Sequence, residues 1–192
     1  MAGVRAVVRR VADSLTGVGL DSSLVDDAYV DLGAHADRAR AVANRLNAVR
    51  DGPPKQAVVL WTRSYVAITR RGRWIYVARS FAERLTDAEL AFVLGHEMAH
   101  HDLGHLSLMY AAAGWLGNAQ QIELAADRLG LELAVRAGFD RRAALQALDP
   151  QWDDPPVEPS PSLPPALDRY LDRFRRTHPS MRERRAALER PR

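Results

Sequence analysis

The sequence predicts an α+β protein, mainly helical, with a small antiparallel sheet of about three strands beside a central helix. Three observations carry this. Apolar residues recur at helical spacing in the N-terminal and C-terminal thirds. Between them lie short runs rich in Val, Ile, Trp and Tyr, the composition of strands. Turn residues and capping sequences separate the two kinds of segment.

In chain order, Val4, Val7, Val8, Val11 and Leu15 fall on one helical face. Leu24, Val25, Ala28, Tyr29 and Leu32 share another, as do Ala39, Val42, Ala43 and Leu46. Asp51-Gly52-Pro53-Pro54 is a break. Ala57 to Trp61, Tyr65 to Thr69 and Trp74 to Ala78 then read as three strands, the last two a hairpin around Arg71-Gly72. Thr86-Asp87-Ala88-Glu89 is a capping box that opens a helix running to about Asp102. Asn118 to Gln121 signals another helix, ending near Gly138, and Asp140 starts a short one. Pro150 to Pro165 holds seven prolines and reads as a surface loop. Two helices follow, the last opening at Ser180-x-x-Glu183. The expected divisions are a helical segment 1–55, a core 56–149, the proline-rich loop 150–165 and basic C-terminal helices 166–192.

Composition narrows the function. With 47% hydrophobic and 27% charged residues in 192, the chain is an ordinary globular domain and not a low-complexity one. The absence of cysteine excludes a disulfide scaffold, a thiolate metal site and a thiol nucleophile. The net charge of +3 is uneven: Ala166 to Arg192 has nine Arg against Asp168, Asp172, Glu183 and Glu189, so it carries +5. That tail reads as a solvated helical face, which disfavours nucleic acid as a partner. The start has no signal-peptide core, and Leu106 to Leu116 falls far short of the roughly 20 apolar residues of a spanning helix. A soluble, cytoplasmic, bacterial protein is expected. Tyr110, Ala111 and Trp115 fit a core helix better than a surface patch, and peripheral membrane contact stays open.

The sharpest feature is His96-Glu97-Met98-Ala99-His100, an H-E-x-x-H pattern within the capped helix. Histidines four apart lie on one helix face, about 6 Å apart along the axis, so both imidazoles reach one Zn²⁺. Glu97 is rotated about 100° from His96 and stands beside the metal, where a general base takes a proton from water. A catalytic zinc site wants a third protein ligand, here His, Glu or Asp. The next helix offers Glu123 and Asp127, also four apart, in an apolar run where unpaired acids are costly. Glu123 as ligand and Asp127 as acceptor for a ligand histidine account for both. An amphipathic helix with solvated acids is the alternative. His101 points away from His100 and His105 lies beyond Gly104, so both are expected to pack or bond locally; His35 shows no partner.

His96 to His100 followed by Glu123-x-x-Ala-Asp127 resembles the gluzincin metallopeptidases, most of all the HtpX, Oma and CaaX-prenyl-protease type, metallopeptidase family forty-eight. Arg73 to Phe81 resembles the strand before the active helix, and Leu85 to Gly95 the lead-in to the motif. Thr177-His-Pro-Ser-Met-Arg-Glu-Arg184 resembles the C-terminal signature. The likeness covers Trp61 to Leu188. It implies a zincin-like fold and an endopeptidase holding one Zn²⁺ on His96, His100 and Glu123, with Glu97 catalytic and Asp127 orienting a ligand histidine. It also implies that Trp74, Ile75, Tyr76, Val77 and Ala78 form an edge strand on which a peptide substrate pairs. His178 and Arg184 become candidates for a zinc contact or for oxyanion stabilisation, against a buried polar pair at a helix N-terminus. The chain lacks the membrane spans of many relatives and has a short link from His100 to Glu123, so a minimal soluble version is expected. The competing class is a latent or non-catalytic zinc protein, with His178 closing the site and the basic tail engaging a partner.

Overall fold

The computed structural model describes residues 29–61, 67–69, 72–106, 119–149 and 179–190. The strands are β1 (Tyr29–Val30), β2 (Gln56–Trp61), β3 (Ala67–Thr69) and β4 (Trp74–Ala78). The helices are α1 (Ala34–Asn47), α2 (Arg79–Arg84), α3 (Asp87–Asp102), α4 (Ala119–Arg136), α5 (Arg141–Ala144) and α6 (Met181–Glu189). A 3-10 turn, Leu145–Leu148, continues α5. No helix among the described residues is long and apolar enough to cross a membrane.

The protein is mainly helical, as expected, but the antiparallel three-stranded sheet is corrected. Four strands form a mixed sheet in the order β1-β2-β4-β3. β2 and β4 run parallel, with Gln56 opposite Trp74 and Leu60 opposite Ala78. β1 and β3 flank them antiparallel. The physical reason lies in the two central runs. Ala57 to Leu60 and Trp74 to Ala78 are buried without alternation, the pattern of strands covered on both faces. Ala67 to Thr69 pairs antiparallel with β4, as the hairpin reading expects, with residues 65, 66, 70 and 71 outside the described ones; β3 lies on the far side of β4, so β2 meets β4 directly.

Two more differences concern local structure. The helical face drawn through Leu24 to Leu32 gives way to a strand at Tyr29–Val30, because pairing with Trp61 and Leu60 supplies hydrogen-bond partners. Asp31 continues that edge through its N–H to the Val59 carbonyl at 2.8 Å, and its Oδ1 then accepts from the Gly33 N–H at 2.8 Å. The short helix α2, directly after β4, had no signal in the sequence reading. The helices expected before residue 29 and over 166–178, the apolar stretch 107–118 and the proline-rich loop lie outside the described residues.

Helix α3 is the centre of the molecule. Its capping box forms: Thr86 Oγ1 accepts from the Glu89 N–H at 3.3 Å, and Glu89 Oε2 accepts from the Thr86 N–H at 2.7 Å. Leu90, Ala91, Leu94 and Met98 join α1 and the sheet in one core. Phe92 joins Leu131, Leu145, Leu148 and Leu188 in a second, between α3, α4, the α5 turn and α6. A helix buried on nearly every side must meet a neighbour closely, and α3 meets α4 at Gly95 and Gly130. A Cβ on Gly130 would lie 2.6 Å from His96 N and 2.8 Å from His96 Cα; one on Gly95 would lie 2.7 Å from the Gly130 carbonyl. Hydrogen at both positions lets the backbones touch one residue from His96.

Candidate metal centre

Helical geometry assembles the site from two pairs. His96 and His100 are four apart on α3, and Glu123 and Asp127 are four apart on α4. The Gly95–Gly130 contact turns the two faces toward each other. His96 Nε2 and His100 Nε2 come within 3.0 Å, and Glu123 lies 3.3 Å from the first and 3.6 Å from the second. Ligand atoms of His96, His100 and Glu123 all fall within 4.8 Å of one another. His96 and Glu123 are buried and His100 nearly so.

The far side of each ring is engaged too. His96 Nδ1 lies 2.8 Å from Asp127 Oδ1. Asp127 is fully buried, and a lone carboxylate there would be costly. Arg184, reaching in from α6, supplies the counter-charge with a two-point grip: Nε donates to Oδ2 at 2.8 Å and Nη2 to Oδ1 at 2.5 Å. Burial by itself would raise the Asp127 carboxyl; the bonds and charge of Arg184, with the His96 bond, hold it down at about 2. Burial pulls His96 down, but the Asp127 and Glu123 carboxylates outweigh it and lift the metal-free imidazole to about 10. His100 Nδ1 lies 3.1 Å from His105 Nδ1.

This donor set fits a divalent cation. When His96 gives up its Nε2 proton, the Asp127 carboxylate keeps the remaining proton on Nδ1, so Nε2 would offer its lone pair toward His100 and Glu123. In the metal-free protein the His96 imidazolium balances the Glu123 carboxylate 3.3 Å away, and a divalent cation on the same atoms would take over that positive charge. Two neutral imidazoles and one carboxylate are the ligand types of a three-residue catalytic zinc site.

The sequence-predicted residues stand as follows. His96, His100, Glu123 and Asp127 come together. Glu97, half-buried, is next to His96 and one step round the helix. Arg184 is placed differently from the zinc or oxyanion contact considered for it. Its guanidinium is committed to Asp127 behind His96, 3.3 Å from Nδ1, which is the buried polar pair weighed against those roles. His178 lies outside the described residues. Trp74 to Ala78 is not an edge strand in the described sheet: β2 pairs along one side and β3 pairs with Ile75 to Val77 on the other. The flanking strand next to α3 is β3. Thr69 Oγ1 ties it to His101 Nε2 at 2.5 Å, while burial, with Lys55 and Arg50 nearby, holds His101 down at about 4. His35 does have a neighbour, Glu83, at 3.6 Å. Sequence reasoning missed the Gly95–Gly130 contact; a glycine within each of two good helices was the available signal.

The structure therefore defines a class: a mainly helical protein with a small mixed sheet and a His–His–Glu cluster able to hold a metal ion, carried by an H-E-x-x-H helix and the helix after it. The model of peptidase family M48 matches residues 35–122 and 106–192, two overlapping segments that contain every residue of the site. The chain belongs to peptidase family M48. A search of the curated proteins found no match.

Proposed function

We propose that this protein is a zinc-dependent endopeptidase that hydrolyses peptide bonds with activated water. One observation carries the proposal: the convergence of His96, His100 and Glu123 ligand atoms within 4.8 Å, with Glu97 on the same helix as the two histidines. Family membership supports a peptidase. His96, His100 and Glu123 would hold one Zn²⁺ per chain, which would supply Lewis acidity toward a peptide carbonyl and water. Glu97 accepts the proton as water attacks and delivers it to the departing amine. Asp127 keeps the His96 proton on Nδ1, and Arg184 keeps Asp127 charged and oriented.

The test is cleavage of a mixed peptide library by the zinc-loaded protein, read by mass spectrometry, with Glu97→Gln alongside. The variant is expected to keep its zinc and to lose about a hundredfold to ten-thousandfold in turnover, the usual worth of a general base. Cleavage by the variant at the wild-type rate would refute the role of Glu97. Zinc binding with no cleavage by either protein would favour the latent, non-catalytic class.

A further inference from the structure

Helix α3 does not simply stop after the second histidine. Gly104 adopts φ +70°, a left-handed conformation that suits glycine. The Gly104 N–H donates to the His101 carbonyl at 3.1 Å, and the His105 N–H to the His100 carbonyl at 2.9 Å. These two bonds are the paired closures of a Schellman turn, with Gly104 just past the cap. The outer bond lays residue 105 over residue 100, and this motif commonly brings those two side chains into contact. The usual pair is apolar. Here it is two imidazoles, centroids 5.1 Å apart at 67°, with Nδ1 facing Nδ1 at 3.1 Å.

The opposite nitrogen of His100 faces the ligand set, 3.0 Å from His96 Nε2 and 3.6 Å from Glu123 Oε1. An imidazole that gives the Nε2 lone pair to a metal carries its proton on Nδ1 and needs an acceptor there. We infer that His105 is the positioning residue for His100: a neutral imidazole whose Nδ1 accepts the His100 Nδ1–H and fixes the angle at which His100 meets the metal. The two ligand histidines are then braced in different ways. His96 leans on a carboxylate backed by an arginine, whereas His100 leans on a neutral ring delivered by the helix stop itself. This inference rests on the metal site proposed above.

The experiment uses the full chain and measures zinc affinity by competition with a chromophoric chelator. It compares wild type, His105→Leu, which keeps bulk without an acceptor, and His105→Asn, whose Oδ1 replaces Nδ1. Thermal unfolding of the metal-free proteins is measured in parallel. Expected is a tenfold to hundredfold weaker zinc affinity for His105→Leu, roughly the cost of losing an outer partner of a ligand, with His105→Asn within about threefold of wild type. Wild-type affinity in His105→Leu would overturn the inference while leaving the metal site intact. Equal losses of affinity in both variants would overturn it in favour of plain packing, and matching falls in melting temperature would identify that cause. Failure of the wild-type chain to bind zinc would instead overturn the proposed function.

Discussion

Replacing Gly130 by Ala tests how tightly the α3–α4 gap controls the site. The added methyl would lie 2.6 Å from His96 N, 2.8 Å from His96 Cα and 2.9 Å from Gly95 C. All three are backbone atoms, so no side chain can turn aside. Reaching the 3.4 Å of ordinary contact requires the helices to part by about 0.8 Å. Overpacking of this kind costs about 1–3 kcal/mol, and the upper end applies where only backbone is available to move. The better helix propensity of Ala returns about 1 kcal/mol. The net expectation is a loss of about 2 kcal/mol, or a melting temperature lower by about 4–8 °C. The metal site suffers more. Gly130 shares a face with Asp127 and, two turns away, with Glu123, so the separation moves both away from the α3 histidines. Metal–ligand distances tolerate about 0.2 Å, a quarter of that shift. Zinc affinity is therefore expected to fall at least about tenfold. Calorimetry of the metal-free protein and chelator competition measure the two effects, with exposed Glu132→Ala on the same helix as the control. Wild-type melting in Gly130→Ala would refute the close approach. A lower melting temperature with unchanged zinc affinity would refute the link between helix spacing and the site.

Glu123→Ala should lose most of its zinc while the chain remains folded; an unchanged zinc content by elemental analysis would point to a different third ligand. Arg184→Gln leaves the buried Asp127 carboxylate without its cation and should destabilise the fold by about 3 kcal/mol, with Arg184→Lys an incomplete rescue because an ammonium cannot grip both oxygens. Equal urea midpoints for Arg184→Gln and wild type would contradict the two-point contact. Because Asp127 titrates at about 2 when folded and near 3.8 in its ordinary state, its stabilisation is complete above that ordinary value and is lost as pH falls toward 2. The amount is on the order of 2 kcal/mol. Asp127→Asn should therefore flatten the acid side of the stability profile of the metal-free protein, and parallel profiles would refute this. Asp102→Ala should cost about 2 kcal/mol by stripping the carboxylate from Arg50, whose side chain is 1% exposed and, among the described residues, keeps Asn47 and Pro53 as acceptors. A melting temperature equal to wild type would show that Arg50 is satisfied without it.

What the sequence disclosed well was whatever depends on helical spacing. Residues four apart share a face in any α-helix, so the pairings His96 with His100 and Glu123 with Asp127 were legible before any fold was known. Caps are equally local, and Thr86 with Glu89, Asp140, and Ser180 with Glu183 all form as read. Strand pairing is not local. Nothing near Trp74 to Ala78 declares that Gln56 to Trp61 lies alongside it in parallel, and that neighbour makes the supposed edge an interior strand. The short strand at Tyr29 has the same origin, since its partner is thirty residues downstream. Arg184 was found by motif, but its direction depended on the docking of α6 against Leu131 and Leu148, a contact without a sequence period.

The distance along the chain between Asp127 and Arg184, 57 residues, has a consequence for how the protein matures. A growing polypeptide acquires both histidines and Glu123 long before it acquires the arginine that neutralises the carboxylate behind them. Until α6 docks, the Asp127 carboxylate lacks the two-point contact of Arg184 and keeps the His96 bond. At the proposed site, capture of an ion is therefore expected to follow the joining of the two cores rather than to precede it. The docking of one short helix is then the step that completes the surroundings of the His96, His100 and Glu123 cluster.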